Sequence, residues 1–111
     1  MNMQNFLWPL LLAALCGCQP GGGADLTKAE GYILAQQHNC FACHSINEKS
    51  FCPEWLEVAD KYRGDAGAEA RLAGKIADGG SGVWGDIVMP PHPQISEADR
   101  KTMAKFVLSL K

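Results

Sequence analysis

The chain has 111 residues, a length that suits one domain. Its formal net charge is −2, which excludes the strongly basic balance that is typical of proteins that bind nucleic acid. Only 8% of the residues are aromatic and 20% are charged, as in ordinary globular chains. A core made only of side chains would be small at this length.

An apolar run of ten residues, 6–15, lies near the start of the chain. It is too short to span a bilayer, which takes about 20 apolar residues. It suits the hydrophobic region of an export signal, although no Lys or Arg precedes it. The next residues, Leu15-Cys16-Gly17-Cys18, resemble the bacterial lipobox. That resemblance implies that Cys18 becomes the lipidated first residue of the mature protein. Ordinary cleavage after Gly23 or Ala24, without a lipid, is the alternative.

The predicted organisation has three parts. Residues 1–17 are a lipoprotein-type signal peptide, which would take Cys16 with it. Residues 18–24 are a glycine-rich flexible tether. Residues 25–111 are the folded domain.

The domain is predicted to be all-α, with about four helices and long loops. The first helix starts near Asp25 to Thr27 and runs to about His38; Thr27 stands three residues before Glu30, the spacing of a capping box. The second helix begins at Pro53, a favourable first helical position, and ends near Tyr62.

The third helix covers residues 67–77 and is followed by a loop at 78–82, where three glycines break any helix. The last helix begins after Ser96, which is predicted to be its N-cap. Four apolar residues at spacings of three and four give this helix one buried stripe: Met103, Phe106, Val107 and Leu110. No strand of convincing length is found.

The segment Cys40-Phe41-Ala42-Cys43-His44 carries the clearest chemistry. Cys-x-x-Cys-His is the attachment motif of c-type haem, in which two sulfurs add across the vinyl groups and the histidine binds iron. A bare Cys-x-x-Cys pair also occurs in zinc sites and redox dithiols. No second cysteine pair follows here, and no βαβ pattern is present. We therefore predict one covalently bound haem c, held by Cys40 and Cys43, with His44 as an iron ligand.

A second iron ligand is predicted at Met89. Methionine sulfur is a soft ligand that raises the haem potential. Met89 is followed by Pro90 and Pro91, which stiffen the loop that carries it. Met103, on the apolar stripe, is assigned to the core. Two alternatives remain: Met89 only packs against the haem, or His38 or His92 is the ligand.

The chain resembles the class I cytochromes c, in particular the short bacterial monohaem subgroup. Beside the haem motif, the resemblance rests on Gly82-Val83-Trp84-Gly85, Met89-Pro90-Pro91 and the ending Phe106-Val107-Leu108-Ser109. It covers residues 24–111 and implies the cytochrome c fold, wrapped around one haem.

The resemblance also implies roles for three further residues. The Pro53 carbonyl would accept the remaining N–H of the haem-ligating histidine. The Trp84 indole would bond a haem propionate, although a plain core aromatic is the alternative. Lys75 would neutralise a propionate, although a solvated helix lysine is the alternative.

The sequence departs from the subgroup at Cys52, where Gly is usual, and at His92, where Asn is usual. Of the five cysteines, Cys16 is assigned to the signal, Cys18 to the lipid, and Cys40 and Cys43 to the haem, so Cys52 has no assigned role. It is interpreted as a buried inert thiol, with pairing between molecules as the alternative.

The predicted function is one-electron transfer in a bacterial respiratory or denitrification-type chain, and not catalysis. The predicted partners are redox proteins: a reductase, an oxidase or a peroxidase. The protein would be a monomer in the periplasm, held at a membrane by its lipid. A haem-based ligand sensor, or a tethered subunit of a larger redox complex, is the alternative.

Overall fold

A computed structural model describes residues 24–111 of the protein. It has four helices: α1 (Glu30–Gln37), α2 (Trp55–Lys61), α3 (Ala68–Asp78) and α4 (Glu97–Ser109). Two 3-10 turns, Leu26–Lys28 and Cys40–Ala42, flank α1. Residues 24–111 contain no β-strand, only one isolated bridge between Gly80 and Met89. The predicted all-α fold is confirmed.

The predicted signal, the lipidation residue Cys18 and most of the tether lie outside the described residues. Within the described part of the chain, no helix is long and apolar enough to cross a membrane.

The start of α1 differs from the predicted capping box. The Asp25 carboxylate accepts hydrogen bonds from the Thr27 amide (3.1 Å) and the Thr27 hydroxyl (2.6 Å). This pairing caps the short turn Leu26–Lys28, and Ala29 is then extended. The prediction was wrong because a nearer carboxylate engages the Thr27 side chain, and α1 begins at Glu30 without a side-chain cap.

The second helix starts two residues later than predicted, at Trp55, with Glu54 as its N-cap. Its first free N–H groups are satisfied by carbonyls of the preceding loop. The Trp55 amide donates to Ser45 (2.8 Å) and the Leu56 amide donates to Ile46 (3.0 Å). These bonds hold the segment after the haem motif against the start of α2.

The core forms where α4 packs against α1, α2 and α3. Ser96 caps α4 as predicted, accepting a hydrogen bond from the Asp99 amide at 3.2 Å. The predicted apolar stripe of α4 is buried, and it packs with residues of the other elements into one cluster: Ala35, Trp55, Val58, Ala59, Ile95, Met103, Phe106, Val107 and Leu110.

The crossing of α1 and α4 is close because α1 presents Gly31 to α4. A Cβ atom on Gly31 would lie 2.3 Å from the Cβ of Phe106. The contact therefore requires glycine, and it packs the first turn of α1 against α4.

Candidate functional site

A cavity of about 250 Å³ lies between the haem motif, helices α2, α3 and α4, and the loop at 80–92. The structure brings together at its wall every site residue predicted within the domain: Cys40, Cys43, His44, Pro53, Lys75, Trp84 and Met89. These residues span half of the sequence but enclose one space.

The wall of the cavity is mainly apolar, although much of it is open to solvent. Seven large apolar side chains are exposed in residues 24–111, and five of them line this cavity: Phe51, Val83, Trp84, Ile87 and Val88. Such concentrated apolar exposure is typical of a ligand site. In addition, Nδ1 of His92 is buried at the cavity without a partner among the described residues. An apolar group with polar edges, such as a haem, fits both observations.

The haem motif forms a single tight turn. The amides of Cys43 and His44 both bond the Cys40 carbonyl, at 3.3 Å and 2.9 Å. Asn39 permits this turn by adopting a left-handed conformation, with φ of 59°. Both cysteines face the cavity; Cys40 is half-buried and Cys43 is exposed. Burial raises the pKa of the Cys40 thiol, which favours its neutral form.

The imidazole of His44 is oriented by the backbone of the next loop. Its Nδ1 lies 2.9 Å from the Pro53 carbonyl oxygen. A carbonyl only accepts, so Nδ1 carries the hydrogen and Nε2 keeps a lone pair for a metal. The ring also packs beside Trp55, with centroids 5.6 Å apart.

The backbone of Met89 is held by a pair of hydrogen bonds. Its amide donates to the Gly80 carbonyl (2.8 Å), and the Gly80 amide donates to the Met89 carbonyl (2.9 Å). The neighbouring Gly79 has φ of 64°, and a Cβ atom there would lie 2.2 Å from the Met89 carbonyl oxygen. Three residues later, the His92 amide bonds two carbonyls of the last turn of α3, at 3.0 Å and 3.1 Å. The segment from Met89 to His92 is therefore fastened at its start to Gly80, just after α3, and at its end to the last turn of α3.

The alternative iron ligands differ in position. His38 is the C-cap of α1 and does not line the cavity, whereas His92 does. Met103 also lines the cavity, but its side chain is only 2% exposed and belongs to the core cluster.

Two features of the site were missed by the sequence reasoning. One is the contact of Gly79 and Gly80 with Met89; two adjacent glycines directly after a helix were its only local signal. The other is Cys52, which is half-buried and lines the same cavity as Cys43. Its position depends on the course of the loop between His44 and Pro53.

Comparison with known proteins agrees with this geometry. The family model described as cytochrome c matches residues 28–111. Cytochrome c-552 of Nitrosomonas europaea is 46% identical over 78 residues, covering 70% of this chain and 76% of that protein. Cytochrome c-551 of Pseudomonas aeruginosa is 47% identical over 79 residues, covering 71% and 75%.

The fold agrees as well. The crystal structure of wild-type Nitrosomonas europaea cytochrome c552 matches with a TM-score of 0.68 at 46% identity, covering 71% of this chain and 98% of that one. The chain therefore belongs to the cytochrome c family, whose members bind one covalent haem c with iron and carry electrons rather than act as enzymes.

Proposed function

We propose that the protein carries single electrons on a haem c, which Cys40 and Cys43 would hold covalently and whose iron His44 and Met89 would bind. When bound, the haem supplies the Fe(III)/Fe(II) couple. The observation that carries the proposal is that His44 and Met89 line the same cavity. A backbone carbonyl holds the imidazole of His44, and two hydrogen bonds hold the backbone of Met89.

On one side, His44 is prepared for iron before any metal is present. The Pro53 carbonyl fixes the tautomer and the ring plane, and a hydrogen bond of this kind raises the basicity of the ligand. The contact with Trp55 limits rotation of the ring. The imidazole therefore needs little rearrangement on ligation.

On the other side, Met89 supplies a soft sulfur that favours Fe(II) and so raises the potential. The backbone of Met89 is fastened to that of Gly80, which limits movement of the segment that carries the thioether. With both residues bound, the iron would have no open position for a substrate or a gas. This favours a carrier over a ligand sensor.

Two residues at the cavity rim suit the propionates. Lys75 supplies a positive charge, and Trp84 has an N–H donor. The Lys61 ammonium lies 5.6 Å from the centre of the Trp84 ring, which adds a second positive charge at this rim. The positive charges and the N–H donor would offset the free-energy cost of placing propionate carboxylates beside an apolar wall.

The proposed setting is the bacterial periplasm, with a diacylglycerol-type lipid at Cys18 that holds the protein at a membrane. The partners would be a reductase, an oxidase or a peroxidase in a respiratory or denitrification-type chain. The carrier would act as a monomer that docks transiently over a small interface. A glycine-rich tether suits such docking because it lets the domain turn toward successive partners.

The test is replacement of Met89 by alanine in the haem-loaded protein. We expect the low-spin, six-coordinate spectrum to be lost and the reduction potential to fall, because the soft ligand is gone. Met103→Leu is the matched control, since it removes the other sulfur at the cavity wall while keeping similar volume. A Met89→Ala protein with the wild-type spectrum would rule Met89 out, and loss of the spectrum in Met103→Leu alone would assign the ligand to Met103.

A further inference from the structure

Three thiols line the cavity, although haem c forms only two thioether bonds. Cys40 and Cys43 belong to the attachment motif, and the proposed function gives no task to Cys52. All three are free thiols in the structure.

The backbone of Cys52 is fastened to that of Cys43 through one hydroxyl group. The Cys52 amide donates to the Ser50 hydroxyl oxygen (3.3 Å). The same hydroxyl lies 3.0 Å from the Cys43 carbonyl oxygen and 3.2 Å from the Cys52 carbonyl oxygen. The loop that carries Cys52 is therefore held against the haem motif at Cys43 rather than at Cys40.

The two side chains are neighbours as well. Burial raises the pKa of the Cys52 thiol above its ordinary value, and the adjacent Cys43 side chain raises that pKa further. Cys52 is half-buried, whereas Cys43 is exposed, and both face the same cavity. Cys52 thus presents a neutral S–H group beside the sulfur of Cys43.

Thioether formation adds a thiol across a vinyl group that lies within its reach. The sulfur bonds the inner vinyl carbon, the S–H hydrogen goes to the outer carbon, and the double bond becomes single. No oxidant, reductant or leaving group takes part. A vinyl carbon within bonding reach of the Cys43 sulfur would also be close to the neighbouring Cys52.

We propose that Cys52 is a third haem-attachment residue. When Cys43 is missing or blocked, Cys52 bonds the haem vinyl group that Cys43 would otherwise bond. Cys43 has precedence in the native chain because the motif turn sets its position next to His44. The inference rests on the proposed attachment at Cys40 and Cys43.

The test compares full-length Cys43→Ala, Cys43→Ala with Cys52→Ser, and Cys52→Ser alone, each produced with haem supply. Two readouts are used: the pyridine haemochrome spectrum, which shifts with each vinyl group left unsaturated, and mass spectrometry of the proteolytic haem peptide. We expect Cys43→Ala to keep two thioethers, with haem joining Cys40 to Cys52. We expect the double variant to keep one thioether, and Cys52→Ser alone to match the wild type.

Cys43→Ala with one thioether, at Cys40 only, would overturn the inference while leaving the proposed function intact. Wild-type protein without covalent haem would instead overturn the proposed function. If the Cys43→Ala protein does not accumulate, Cys43→Ser is used in its place, since serine keeps the approximate size of the cysteine side chain but forms no thioether. One thioether in Cys43→Ser, at Cys40 only, would likewise overturn the inference.

Discussion

At the residue scale, backbone groups hold the two proposed iron ligands in place. His44 is fixed by the Pro53 carbonyl, and Met89 is fixed by a reciprocal pair of bonds with Gly80. Because a backbone position moves only with its whole segment, the ligands depend on glycines and prolines that never touch the iron. Substitution of such a residue should therefore change the position of a ligand although the residue does not contact the iron.

Gly79 offers the sharpest test of this dependence. In Gly79→Ala, the new Cβ would lie 2.2 Å from the Met89 carbonyl oxygen, and the φ of 64° would be strained. We expect displacement of Met89, a weaker iron–sulfur charge-transfer band in the oxidised protein and a lower potential. Gly82→Ala is the matched control, because its φ of 104° is also strained but no atom lies within 4 Å of the added Cβ. Equal spectra in the two variants would contradict the role of Gly79.

At this scale, contacts between residues close in sequence were predictable, and contacts between distant segments were not. The tight motif turn follows from spacing alone, so Cys40, Cys43 and His44 were predictable as a unit. Met89 was predicted as an iron ligand from its soft sulfur and the two prolines after it, but it lies 45 positions after His44, so no local spacing decided between Met89 and His92. The proximity of Cys52 to Cys43 was not predictable, since it depends on how the Ser50 hydroxyl holds two loop carbonyls.

At the scale of the helices, the sequence predicted helix features correctly where contacts between neighbouring residues determine them. The N-cap of α4 and its apolar stripe both follow from neighbouring residues, and both predictions were confirmed. The starts of α1 and α2 were misplaced by contacts with other groups. Asp25 engages Thr27 before α1, and the carbonyls of Ser45 and Ile46 satisfy the first amides of α2.

At the crossing of α1 and α4, one added methyl group should lower the free energy of unfolding. Gly31→Ala would place a Cβ 2.3 Å from the Cβ of Phe106, and overpacking of this kind costs about 1–3 kcal/mol. Gly74→Ala is the control, since Gly74 lies within α3 with open space around it and alanine favours helix by about 1 kcal/mol. Urea unfolding of the holoproteins should show destabilisation by the first variant and slight stabilisation by the second. Equal effects would mean that the helices separate easily.

At the scale of the whole molecule, the domain and the N-terminal segment have different tasks. The domain holds the redox site and keeps apolar side chains around it exposed; Phe51, at 88% exposure, is the most open of them. The segment before it is proposed to set location. A carrier held at a membrane surface meets membrane-bound partners at a high effective concentration, as any tethered binding partner does.

The proposed anchor predicts a simple fractionation result. Cys18→Ser should release the holoprotein from the membrane fraction, because the lipidated residue is gone. Cys16→Ser, which alters the same segment but not the lipidated position, should leave the protein membrane-bound. Continued membrane attachment of Cys18→Ser would contradict lipidation at Cys18.

The central claim, that His44 and Met89 would both bind the iron of an electron carrier, is tested most directly by carbon monoxide. The reduced wild-type protein at neutral pH should give the same absorption spectrum with and without the gas, because iron bound by both His44 and Met89 would have no free position. Reduced Met89→Ala, measured in parallel, should give a carbonyl spectrum and so prove that the gas reaches the iron. A carbonyl spectrum from the wild-type protein would contradict the account.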